Sequence, residues 1–304
     1  MINLGNIEIA DLRLGASQVK ALCLGSEQIW GGEEPGPTAD WLCFTAVDAG
    51  ATISLLCQRS IDASFMTSTD GQTWTDYTFY TVITLENVGD KVYFRAKDEN
   101  TATFYKDYNN WLRFQTTAGK RIAASGNIMT LLKADGSKTD ITNRQQFRYL
   151  FQNCTSLTTA PELPATTVAD MCYSNMFEGC SSLSYIKVGF TDWKVGGFFS
   201  FTDAWLANVA ATGTFVCPGI LDTSTRGPDR IPEGWTIVQP LTFVAKQANS
   251  LVQLNKNGTP DPISLEYSYD ESTWSDYNWS GNTGDVIMLT NVNDKVSFRA
   301  KTEN

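Results

Sequence analysis

Apolar residues recur along this chain in three rhythms, and each predicts a different kind of element. The first is a decad. Residues 4–30 read LGNIEIADLR, LGASQVKALC and LGSEQIW, with Leu4-Gly5, Leu14-Gly15 and Leu24-Gly25 ten positions apart. Ile7, Ile9 and Leu12 follow in register, then Val19 and Leu22, then Ile29 and Trp30. Each unit predicts a short alternating strand, with glycine giving the backbone freedom for a turn. About thirty residues are too few for a self-supporting domain. The segment 1–32 therefore docks on a partner or wraps around copies of itself; the plainer alternative is an N-terminal hairpin on the next domain. Residues 31–37, GGEEPGP, have linker composition and argue against that alternative.

The second rhythm has a period of two and occurs twice. Residues 41–100 begin WLCFTAVDAG and end LENVGDKVYFRAKDEN; residues 240–304 begin PLTFVAKQAN and end LTNVNDKVSFRAKTEN. Phe44 aligns with Phe243, Trp74 with Trp274, Tyr77 with Tyr277, and Phe94-Arg95 with Phe298-Arg299, the offset growing from 199 to 204. In KVYFRAK, Val92 and Phe94 face one side and Tyr93 and Arg95 the other. Short strands between Gly, Asp and Asn turns predict a small antiparallel sandwich in each copy. Trp74 and Trp274 are read as core residues. Asp70, Asp76, Asp270 and Asp276 are read as turn residues, because their spacing fits no EF-hand loop.

The third rhythm has a period of 26. Phe151 pairs with Phe177, Cys154 with Cys180, and Leu157 with Leu183, in units of the form F-x-x-C-x-S-L. A period in the 20–29 range with this Cys/Leu pattern predicts a leucine-rich solenoid whose Leu and Cys side chains stack inward. Cys154, Cys172 and Cys180 are expected at equivalent inward positions as core thiols, since stacked coils align such groups instead of converging them tetrahedrally on a metal. No metal, disulfide or cofactor is expected.

The fold class that follows is mainly β. Its parts are attachment decads over 1–32, a linker over 33–39, a β-sandwich over 40–118, a capped solenoid over 119–238, and a second sandwich over 239–304. The second copy ends where the first is followed by TATFYKDYNNWLRF, so a further module is expected beyond Asn304.

Composition narrows the function. The chain has 304 residues, 23 Lys and Arg against 33 Asp and Glu, and a net charge of −10. An acidic chain without basic clusters is a poor nucleic-acid binder. Its apolar runs are too short to span a membrane as a helix. There is no histidine, which removes Ser-His-Asp and Cys-His catalysis and His-ligated zinc. The seven cysteines form no CxxC, and the opening residues show no basic n-region or long apolar h-region. The thiols are therefore expected free, in a protein made in a reducing cytoplasm.

Two resemblances add to this reading. The repeated LG…I…(I/V) units ending in IW, followed by a Gly/Pro linker, resemble the virion-attachment segment of tailed-bacteriophage fibre and appendage proteins, particularly from phages of gut Bacteroidales, the crAss-like group included. NCTSLTTAPELPATTVADMCYSNMFEGCSSL resembles the BspA-type leucine-rich repeats of bacterial surface and phage proteins. Residues 119–132 then look like the entry cap and 204–238 like the exit cap.

These resemblances imply a head or tail fibre, located in the virion and homotrimeric. Leu4, Gly5, Ile7, Ile9, Leu14, Gly15, Val19, Leu24, Gly25, Ile29 and Trp30 would seat it on capsid, collar or tail proteins. The outer modules would bind a host surface glycan or protein. The alternative is a bacterial BspA-like cell-surface adhesin. A third reading, a depolymerase using carboxylates such as Asp192, Asp203, Asp222, Asp229 and Glu233, lacks any pairing of those groups; the chain is read as a non-enzyme. Trp193, Phe198, Phe199 and Trp205, in the Gly-rich stretch DWKVGGFFSFTDAW, are read first as filling the last coil, with sugar stacking on a host surface as the alternative role.

Overall fold

The computed structural model describes the backbone at 2–4, 7–9, 13–14, 17–18, 21–24 and 27–31, and residues 40–59, 61–193, 200–255, 264–269, 274–280, 282–292 and 294–300. It is mainly β, with several small antiparallel sheets and, among the described residues, a single short 3-10 helix, Ile128–Leu131.

Each decad proves to be a hairpin and not a single strand. Ile2–Leu4 pairs with Ile7–Ile9, Arg13–Leu14 with Ser17–Gln18, and Ala21–Leu24 with Glu27–Gly31, all antiparallel. The innermost pairs Leu4↔Ile7, Leu14↔Ser17 and Leu24↔Glu27 leave two residues between the strands. Each hairpin is a two-stranded sheet by itself.

In the first copy, two antiparallel sheets pack face to face. One has the strand order Thr75–Asp76, Phe65–Ser68, Lys91–Ala96, Leu42–Ala46, Ile122–Ser125; the other has Ile83–Leu85, Ala51–Gln58, Asn110–Thr116, Tyr105–Asp107. Alternation supplies the inward residues. Phe44 and Phe94 of the first sheet meet Phe114 of the second at 5.0 and 5.3 Å between ring centroids. All three are fully buried.

The core does not stop at this pair of sheets. Phe114 stacks on Phe151 at 5.1 Å and 14°, and Phe151 stacks on Phe177 at 5.3 Å and 10°. One buried cluster runs from Leu42 to Trp235. The strand Ile122–Ser125 joins the parts: it pairs with Leu42–Ala46 on one side, and on the other its Ile122 and Ala124 N–H groups donate to Ser156 O (3.0 Å) and Thr159 O (3.1 Å).

Beyond that strand the chain winds in stacked turns. The N–H groups of Phe147, Tyr149, Phe151 and Asn153 donate to the carbonyls of Cys172, Ser174, Met176 and Glu178, each 25 residues on. Those of Tyr173, Asn175, Phe177 and Gly179 donate to Phe201, Asp203, Trp205 and Ala207, each 28 residues on. Intervening N–H groups close short loops within a turn, as Leu150 does to Phe147 O (3.2 Å) and Cys154 to Phe151 O (3.0 Å). Every fourth residue is left-handed: Gln145, Tyr149 and Asn153 in one turn, Met171, Asn175 and Gly179 in the next, and Ala204 and Asn208 in a third. On the far side, Tyr185–Lys187, Gly213–Val216 and Trp235–Val238 form a three-stranded parallel sheet.

The second copy repeats the first sheet's strand order as Leu241–Val244, Lys295–Ala300, Leu265–Ser268, Ser275–Tyr277, and has a separate, smaller core of Ala245, Tyr277, Ile287, Leu289, Val296 and Phe298. Its second layer is reduced to Ser250–Val252 paired with Ile287–Leu289, and a hairpin of Trp279–Ser280 with Thr283–Gly284.

Candidate attachment and adhesion surfaces

Of the expected attachment residues, Leu4, Ile7, Ile9, Leu14, Leu24, Ile29 and Trp30 lie on the hairpin strands, with Leu4 opposite Ile7 and Trp30 opposite Leu22. Gly5, Gly15, Val19 and Gly25 lie outside the described residues. No hairpin pairs with another hairpin or with the remaining sheets among the described residues. A lone two-stranded hairpin is marginal in water.

Of the residues weighed for sugar stacking, Trp193 and Trp205 fill the last coil instead. Trp205 is fully buried and Trp193 is 7% exposed. Their rings pack 6.2 Å apart, Trp193 Nε1 donates to Asp222 O at 2.6 Å, and Trp205 Nε1 donates to Arg230 O at 2.8 Å. Both indoles fill the end of the stacked turns against Phe190, Phe201 and Phe215. Neither presents a face to solvent, so neither can stack on a sugar. Phe198 and Phe199 lie outside the described residues.

Trp74 and Trp274 are corrected in the opposite sense. Trp74 is half-buried and belongs to neither core; the Arg95 guanidinium lies over its ring at 4.1 Å, and Trp41 meets it edge-on at 4.8 Å. Arg299 covers Trp274 in the same way at 4.0 Å. These residues lie on the outward side of the strands that carry Phe94 and Phe298.

A second cluster escaped the sequence reading, in which Trp111, Arg113, Arg148 and Tyr149 are half-buried and Tyr105 is buried. Outside the second sheet of the first copy, Arg113 lies over Trp111 (4.8 Å) and Tyr149 (5.8 Å), and Arg148 lies over Tyr105 (5.0 Å) and Tyr149 (4.8 Å). Tyr108, 82% exposed, stands at the turn beside them. The guanidinium groups cover the faces of Trp111, Tyr105 and Tyr149. The signal was the outward half of the alternation NWLRFQ; Tyr149 and Arg148 come from a distant segment and were not visible from it.

The cysteines behave as core thiols with one change of place. Cys154 Sγ donates to Phe114 O (3.2 Å) and Cys180 Sγ to Phe151 O (3.0 Å), each reaching back one layer. Cys172 is not equivalent to them; it sits one period after the buried Gln146. Burial pushes the Cys154 thiol up to about 12 and raises those of Cys172 and Cys180 as well. Among the described residues no group of three or more Cys, Asp and Glu side chains is arranged to hold a metal ion.

Several carboxylates accept backbone N–H groups, within turns or between them. Asp70 accepts the Gln72 and Thr73 N–H groups and the Ser68 hydroxyl, which holds it well below the usual carboxylate range. Asp222 accepts from Ser224 N–H (2.9 Å) and Asp229 from Ala204 N–H (2.7 Å). No helix among the described residues is long and apolar enough to cross a membrane. No family model, curated protein or solved structure matches the chain.

Proposed function

We propose that this chain is a structural fibre or appendage of a tailed-phage particle, seated by residues 1–32 on other virion proteins, with the remainder projecting to hold a host surface. One observation carries this reading: three successive hairpins, each a sheet of only two strands, precede a large core that begins at Leu42. A segment with that much apolar alternation and no further sheet partner among the described residues is built to be completed by an assembly.

In this reading the stacked turns are a short leucine-rich solenoid of the BspA type, with 119–132 and 204–238 shielding its ends. The two β-copies are sandwich spacers, and the fibre is a homotrimer. Weak contacts from several copies then add through avidity. The role is binding and structural, not catalytic.

The test is deletion. A chain lacking residues 1–32 keeps the core from Leu42 to Trp235, folds, and is absent from purified particles that incorporate the full chain. Incorporation of the shortened chain at the full-length level would remove the anchoring role. For adhesion, the Trp111–Tyr149 surface replaces the Trp193 set. Combined Tyr108→Ala and Trp111→Ala substitutions are expected to lower adsorption to host cells at least tenfold with folding intact; unchanged adsorption would exclude this face.

A further inference from the structure

Arg121 and Arg299 each end on a carboxylate, Asp48 Oδ1 and Glu266 Oε2, at 2.9 Å. Arg113 and Arg148 do not. Arg113 makes no hydrogen bond or ion pair among the described residues, and Arg148 makes one bond, from Nη2 to Tyr149 Oη at 3.1 Å. The Nε atoms of both are buried and without a partner. Burial also holds the Arg113 guanidinium below its ordinary value. Both groups lie over the Tyr149 ring, at 5.8 and 4.8 Å, so two cations without a counter-ion share one platform. Arg95 and Arg230 also keep an unpartnered nitrogen, but each stands alone over tryptophan, at Trp74 and Trp193.

A buried guanidinium nitrogen left unpaired is costly, and an acceptor brought from outside removes that cost. The carboxylates at this place are already engaged. Glu178, whose charge reaches Arg113, accepts from Gln152 Nε2 (2.7 Å) and Asn175 Nδ2 (3.1 Å). Asp107 accepts from Asn109 N–H (2.8 Å) and Asn110 Nδ2 (3.0 Å). Stacking on Trp111, Tyr105 and Tyr149 fixes each guanidinium plane, and the N–H groups in that plane form the fork that matches an oxyanion bidentately. The rings are therefore the support and the arginines the recognising groups. Tyr108, at the turn before Asn110–Thr116, adds an exposed ring with a hydroxyl, which suits a sugar lying beside the anion.

We propose that Arg113 and Arg148 form a binding site for the carboxylate of an acidic sugar, a uronic acid, with Tyr108 against the sugar ring. The proposal rests on the reading of this face as the adhesive one, and names what that face holds. It also gives an acidic chain of net charge −10 a local means of holding an anionic surface.

The probe is an oligosaccharide of glucuronic acid, titrated calorimetrically into the full chain at low salt. The expected result is saturable binding that weakens at least about tenfold when the carboxyl groups of the probe are reduced to alcohols, a change that leaves the protein untouched. Arg113→Gln and Arg148→Gln each weaken it to the same degree, with thermal melts checking the fold, and Arg121→Gln, at an arginine already paired with Asp48, does not. The site is overturned if the acid does not bind, if the reduced probe binds equally well, or if Arg121→Gln weakens binding as much as the other two. Inorganic sulfate that displaces the probe at equal concentration would show a general anion cradle and overturn the sugar. Binding of the acid with host adsorption unchanged by Tyr108→Ala and Trp111→Ala would strike the adhesive role and leave the carboxylate site. Lost adsorption in those variants without binding of the acid would strike the carboxylate site and leave the adhesive role.

Discussion

The hydroxyl of Tyr77 accepts the backbone N–H of Leu55 at 2.8 Å and donates to Thr81 O at 2.6 Å. Tyr277 does the same for Leu254 N–H (2.8 Å) and Asp285 O (2.6 Å). In both copies the ring also packs on the neighbouring phenylalanine, 5.2 Å from Phe94 and 5.1 Å from Phe298. A side chain thus does the work of a strand where the pairing of Ile83–Leu85 with Ala51–Gln58 has ended at Ile53. Tyr77→Phe keeps the ring and strands the Leu55 amide, so it should cost about 1–3 kcal/mol. Chemical denaturation of the variant against the parent measures this; a change near zero would make the hydroxyl dispensable.

The shared core predicts how the molecule melts. Because Phe114, Phe151 and Phe177 stack in one column, the first β-copy and the stacked turns should unfold together, and the second copy separately. Phe151→Ala should destabilise the larger unit by about 3–5 kcal/mol. Calorimetry of the full chain should show the larger transition moving down and the smaller one staying in place.

The left-handed residues of the turns predict opposite effects of two small substitutions. Ala204 has φ 48° and carries the strain of an L-residue there. Ala204→Gly should gain about 1 kcal/mol. Gly179 has φ 77°, and a Cβ on it would lie 2.2 Å from Asn153 Oδ1, so Gly179→Ala should lose more than that. Thermal melts of the pair read both signs.

The buried thiols predict a loss of stability in alkali. The Cys154 thiol has a folded value of about 12 against 9.0 when exposed, raised by burial. The folded state holds its proton longer, so this contribution is complete below pH 9 and is lost as pH rises from 9 through 12. Native chain at pH 8 should leave Cys154 and Cys180 unalkylated by iodoacetamide, and unfolding should expose both.

Much of this was legible in the residues. The duplication was explicit in the FRAK segments, and the period of 26 placed Phe151 over Phe177 and Cys154 over Cys180. What failed did so for physical reasons. Trp74 follows an Asp-Gly turn and looked like core, but the alternation puts it on the face of Arg95, where a guanidinium covers it. The decads looked like strands because hairpins of two to five residues per strand carry too few side chains to show a reversal. Left-handed backbone every fourth residue was invisible, because Gln145, Tyr149, Met171 and Ala204 do not announce it as glycine would. Trp193 and Trp205 were read first as fillers of the last coil, and their partners there, Phe190, Phe201 and Phe215, come from segments that spacing alone did not join.

The central claim is that the N-terminal hairpins are completed only by a larger assembly. Amide exchange on the strands Ile2–Leu4 through Glu27–Gly31 tests it most directly, with the free chain compared with the chain on its particle. The account predicts rapid exchange of these amides in the free chain, strong protection on the particle, and a protected Leu42–Val238 region in both. Cooperative protection of the hairpin amides in the free monomeric chain would contradict it.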